Sequence, residues 1–170
     1  MSRSQGQHRV KRPASGRFTI LRASERFLLI CPLLAGAAQA QTVTPTQSLS
    51  FGRIIASAGG TVSVDVNGAR SRGGSVILLQ PSAASSATVR ITDADPSNAS
   101  KSFFITLPDT ATLSNGSSTM SLSNFVSSPD GIGTLIAGSK SVAIGATLSI
   151  APQQAPGNYS GSFQVTINYQ

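Results

Sequence analysis

The sequence predicts an all-β protein, an antiparallel β-sandwich of about eight strands that follows a short leader. Three observations predict it. Of the 130 residues from Gln41 to Gln170, 37 are Ser or Thr, Glu is absent, and Lys and Met are scarce, a balance that disfavours helices. Short apolar runs recur with a period of two. Turn residues separate those runs at intervals that suit strands.

The leader accounts for most of the charge. A formal charge of +7 over 170 residues would by itself point to nucleic acid or an anionic surface. Residues 1–40 carry seven basic side chains against Glu25 alone, a net +6. Residues 41–170 carry six against five, a net +1. A basic stretch is followed by the apolar run 27–37 and then by Ala38-Gln39-Ala40. The run is too short to span a bilayer, and the small-x-small triplet is a cleavage signature. We read 1–40 as a signal peptide cleaved after Ala40, 41–48 as a flexible N-terminal extension and 49–170 as the sandwich domain. Cys31 follows Leu29-Ile30 rather than small residues, which does not fit a lipoprotein signal, and adjacent arginines for a twin-arginine signal are missing. The expected location is bacterial and exported: periplasm, cell surface or medium. No later run is long and apolar enough for a stable span in the mature chain.

The strands follow in order. Leu49, Phe51 and Ile55 alternate with polar or small neighbours, then Val62, Val64 and Val66. Val76-Ile77-Leu78-Leu79 is continuous, the pattern of a strand buried on both faces. Val89 and Ile91 alternate, and Phe103-Phe104-Ile105-Thr106-Leu107 and Met120, Leu122 and Phe125 come next. Val142 with Ile144 and Leu148 with Ile150 precede the last element. Asn67-Gly68, Asp95-Pro96, Asn115-Gly116, Pro129-Asp130-Gly131 and Pro156-Gly157 supply the breaks. With no cysteine after Ala40, the core must hold the exported domain without a disulfide.

The last strand is the sharpest signal. From Tyr159 one face reads Tyr159, Gly161, Phe163, Val165, Ile167, Tyr169, and the other is wholly polar. A slip of one residue would turn the apolar row into water, so the register is strongly specified. Tyr169 is next to last and Gly157 is fourteenth from the end. In those positions the chain resembles chaperone–usher fimbrial subunits, whose final strand pairs with a strand donated by a chaperone and then by the next subunit. Leu49-Ser50-Phe51-Gly52-Arg53-Ile54, Gly59-Gly60-Thr61-Val62-Ser63-Val64, Ile105-Thr106-Leu107-Pro108, Gly145-Ala146-Thr147-Leu148 and Pro156-Gly157-Asn158-Tyr159-Ser160-Gly161 resemble the bacterial domain-of-unknown-function 4402 family. That resemblance implies an Ig-like, pilin-like secreted sandwich. Together the two resemblances imply a fimbria-like surface subunit, with a role in cell adhesion and with a periplasmic chaperone, an usher and like subunits as partners. Gly157, Tyr159, Gly161, Phe163, Val165, Ile167 and Tyr169 would form its assembly strand. The donor segment would be Val43, Pro45 and Leu49, a row that Gln47 interrupts. The alternative is a self-complete secreted monomer that binds a carbohydrate or surface ligand through its loops.

Other chemistry is poorly provided for. Residues 41–170 have no histidine or cysteine to activate a serine or hold zinc, and no enzyme or cofactor is expected. At net +1 nucleic-acid binding is dropped. Asp93-Ala94-Asp95-Pro96-Ser97-Asn98 is a weak calcium candidate through Asp93 and Asp95, set against a polar turn. It lacks the glycine and glutamate of a complete calcium loop. Arg70-Ser71-Arg72 reads as a solvated hairpin tip.

Overall fold

The computed structural model describes residues 41–170; the predicted signal peptide lies outside the described residues. The fold is all-β and antiparallel, as the composition and periodicity predict. Among the described residues the strands are β1 (Thr42–Gln47), β2 (Ile54–Val64), β3 (Arg70–Leu78), β4 (Ala87–Thr92), β5 (Ser102–Thr106), β6 (Thr110–Ser114), β7 (Thr119–Ser128), β8 (Ile132–Thr134), β9 (Ser139–Ile150) and β10 (Thr166–Tyr169). Among the described residues the only helical element is a 3-10 turn, Pro96–Asn98, and no helix is long and apolar enough to cross a membrane.

Two sheets form. β4 and β2 lie end to end along one edge of β9, with β1 outside β4 and β3 outside β2; β7 lies on the other edge of β9 and β6 beyond it. The second sheet is β10, β5, β8. The predicted runs around Val142 and Leu148 are halves of one strand. β9 pairs β4 through Ser139–Ile144 and β2 through Ala146–Ile150. Gly145 stands where the partner changes. A Cβ there would run into the Val64 carbonyl and come within 2.9 Å of Asp65, so the two partners can abut only at a glycine.

The core has two buried clusters. Val62, Val64, Val76, Leu122 and Leu148 fill one half. Val89, Ile91, Phe103, Ile105, Val142 and Ile144 fill the other, between the two sheets. Leu49 and Phe125 pack on both. Alternation along β4 (buried, half, buried, exposed, buried, half) follows from the pleat.

Three expectations change. The Val76–Leu79 run is not buried on both faces: Val76 is fully buried but Ile77 is 52% exposed, because β3 is an edge strand whose outer face has no covering layer. The runs around Ile55 and Val62 form one bulged strand, β2, whose ladder ends at Val64; Val66 falls in the Asn67-Gly68 turn. Residues 42–47, expected as a loose extension, are β1, laid antiparallel on β4 from Thr42↔Thr92 to Gln47↔Thr88.

Candidate assembly edge

The C-terminal segment keeps its predicted alternation but not its predicted continuity. Phe163, Val165, Ile167 and Tyr169 are half-buried against the inter-sheet core, and the residues between them are exposed. Only Thr166–Tyr169 forms a ladder, with β5, from Thr166↔Thr106 to Tyr169↔Phe103. Further upstream, Ser160 exchanges two backbone bonds with Ser114 at the edge of β6. Extending the β10–β5 register places Gln164 opposite Pro108, which has no N–H to donate. The expected single strand therefore runs past β6 and β5 in two pieces.

The glycines of the segment are needed where they stand. A Cβ at Gly161 would strike the Thr112 carbonyl and approach Leu113 to 3.1 Å. Gly157 has φ +153°, and a Cβ there would sit 2.8 Å from the Asn115 side-chain nitrogen. Tyr159, predicted to fill the groove or core, lies outside both core clusters. Its hydroxyl donates to the Ala155 carbonyl (2.7 Å) and accepts from the Gln154 amide (2.8 Å), pinning the turn that launches the segment.

Tyr169 closes it. Its ring lies 6.2 Å from that of Phe103, tilted by 56°. The residue is only partly exposed, and its hydroxyl is shut off from solvent with no hydrogen-bond partner. Burial, and then the nearby Asp93 carboxylate, push the phenol above its ordinary value of 10.0.

The backbone of β10 offers a free edge. Ile105 N–H donates to the Gly131 carbonyl, on the side away from β10. Its partner Ile167 therefore also turns its N–H and C=O away from β5, outward, and Tyr169 follows two residues on. The other edges are protected. Pro45 and a register break interrupt β1. β3 carries Arg70, Arg72 and the Gly73-Gly74 pair, and β8 has three residues. Segment 157–161 covers the edge of β6. β10, Thr-Ile-Asn-Tyr, has no charge, proline, glycine or bulge. An edge without such devices is a template for another strand.

The donor candidates do not form one row. Val43 and Pro45 are exposed on β1 beside Ile91 and Val89, whereas Leu49 lies past the end of β1, half-buried on the core. All six residues of β1 are exposed. Its side-chain ties are the Gln41 amide on Asp93, just before the strand, and the Thr46 hydroxyl on the Thr88 carbonyl.

The Asp93–Asn98 segment behaves as the polar turn. Asp93 is buried and accepts from Asp95 N–H (2.9 Å), the Asn98 amide (3.0 Å) and the Gln41 amide (3.2 Å). Asp95 caps the 3-10 turn through Ser97 N–H. Bonds from the Ser97 side chain and then its N–H hold the Asp95 carboxyl below its usual range. Their oxygens already meet protein donors, and among the described residues no three acidic, His or Cys groups gather around a common point.

Among the described residues the fold and this edge define a β-sandwich with one unguarded terminal strand. A family model described as domain of unknown function (DUF4402) matches residues 42–169, and the chain belongs to that family. No curated protein and no solved structure matches it significantly.

Proposed function

We propose that the protein is an exported structural subunit that joins a fimbria-like, pilin-like surface assembly by strand pairing along β10. One observation carries the reading: β10 is the unguarded edge, with the N–H and C=O of Ile167 and Tyr169 turned outward. In this mode main-chain bonds supply affinity, and pockets for alternate side chains supply specificity. The signal sequence read in residues 1–40 supports export, and the C-terminal pattern supports a periplasmic chaperone, an usher and like subunits as partners.

Ile167→Pro tests it. The substitution deletes an outward N–H and breaks no bond to β5. The full chain is expressed with a chaperone and usher from its own genome, and chaperone capture is read as a 1:1 complex. Wild type forms the complex; Ile167→Pro does not, while its melt stays cooperative. A wild-type monomer that melts reversibly and gives no complex with any such chaperone refutes the proposal.

A further inference from the structure

The high Ser and Thr content has a spatial order that assembly through β10 leaves unused. Across five strands the register aligns Ser71, Ser63, Thr147, Ser123 and Thr110 in one line. The next line is Gly73, Thr61, Ser149, Ser121 and Thr112. Their neighbours along β2, β7 and β9, such as Val62, Leu122 and Leu148, are core residues, so both lines face outward. Adjacent members of a line are set apart by the strand spacing, about 4.8 Å. Neither line contains a charged or aromatic side chain.

The first line ends in a depression of about 320 Å³. Its lining includes Ser63, Ser71 and Thr147, with Asp65, Asn124 and Val126 around them. Ser63 and Thr147 hydroxyls lie 2.8 Å apart; one donates to the other, which leaves the acceptor's own proton for a further partner. Asn124 sits in the bulge that breaks the β7 ladder between Ser123 and Val126, at φ +49°. The two charged residues of the lining are already engaged. Asp65 accepts from Asn67 and Ala69 N–H, and Arg70 donates to the Phe51 and Leu79 carbonyls.

We propose that this depression and the hydroxyl line leading into it bind a linear neutral polysaccharide. The hydroxyls recur at close to the length of one sugar ring in an extended chain, and each is both donor and acceptor, as sugar hydroxyls are. Asn124 supplies a side-chain amide and Val126 an apolar wall. Other occupants fit less well. Nucleic acid needs unengaged cations. A protein partner needs an apolar interface core, which the lines lack. A flat crystal face cannot follow a sheet whose strands turn by about 20° each, whereas a flexible chain can. Single contacts of this kind are weak, so affinity comes from many sugars on one polymer.

Affinity electrophoresis of the exported protein in gels containing barley β-glucan, dextran or alginate tests this. Expected is retardation by at least one of the two neutral polymers that persists in high salt, none by alginate, and none on adding glucose alone. Asn124→Gly removes the amide but keeps the left-handed backbone at no steric cost. It should weaken retardation at least about tenfold without lowering the melting temperature. Thr147→Val should weaken it as well, while Ile167→Pro leaves it unchanged, which separates this site from the β10 edge. Absence of retardation by both neutral polymers, or equal retardation of wild type, Asn124→Gly and Thr147→Val, overturns the proposal. So does thermal hysteresis in ice, or a concentration-dependent dimer, that disappears in Asn124→Gly.

Discussion

Replacing Tyr169 by Phe deletes one oxygen that is buried and has no partner, and leaves the ring against Phe103. An unsatisfied buried polar group costs roughly 1–3 kcal/mol. The ring is partly exposed, so the lower end applies, and Tyr169→Phe should stabilise the isolated protein by about 1 kcal/mol. For a domain of this size that is a rise of roughly 3–5 °C in melting temperature. The phenol also sets a pH dependence. Its pKa is raised in the folded state, so as pH rises the unfolded chain loses that proton first, starting near 10.0. Above that point the native state holds more protons, and stability falls with pH. Its contribution is fully present below pH 10.0 and fades as the folded pKa is passed. Urea denaturation at neutral and alkaline pH reads both effects. Wild type should lose stability above pH 10.0 more steeply than Tyr169→Phe. If Tyr169→Phe is less stable by 1 kcal/mol or more at neutral pH (about the worth of a made hydrogen bond), the hydroxyl has a partner and the reasoning fails. A variant that is more stable alone yet poorer at chaperone capture would show what the hydroxyl is kept for.

Gly161→Ala pushes a methyl into the Thr112 carbonyl and should destabilise by about 1–3 kcal/mol, with amide exchange accelerating first at Ser114 and Ser160. Gly116→Ala meets nothing within 4 Å and should cost about 1–2 kcal/mol through its φ of +98° alone, read by equilibrium unfolding, with no clash to displace segment 157–161. Deleting residues 42–47 removes no buried side chain, so the core should still melt cooperatively; it uncovers the β4 edge, and size-exclusion chromatography should show new self-association.

Much of the fold was legible because strand alternation is a local property. Val62 and Val64 announce a buried face whatever lies beside them, and Phe163, Val165, Ile167 and Tyr169 keep theirs even where no ladder forms. The buried and exposed partners of Phe103-Phe104 were not separable, since a double apolar run names two faces and not which is covered; Phe103 is buried and Phe104 is 42% exposed. The candidate assembly strand was legible by its pattern, and the family resemblance found its glycines. Its free edge was not, because an unpaired N–H leaves no mark on composition. The same holds for the depression at Asn124, a bulge residue with no turn signal around it.

By itself the sequence determined the all-β class, the two sides of most strands and the glycine-bearing approach to the C-terminus, since each depends on residues a few positions apart. Only the tertiary structure decided that one edge of β9 serves two partners across Gly145, that residues 42–47 lie on β4, and that Ser and Thr line up across five strands in one row and four in the next. Those are facts of pairing between distant segments. Backbone groups that pair are chemically identical along the chain, so only packing selects which of them meet.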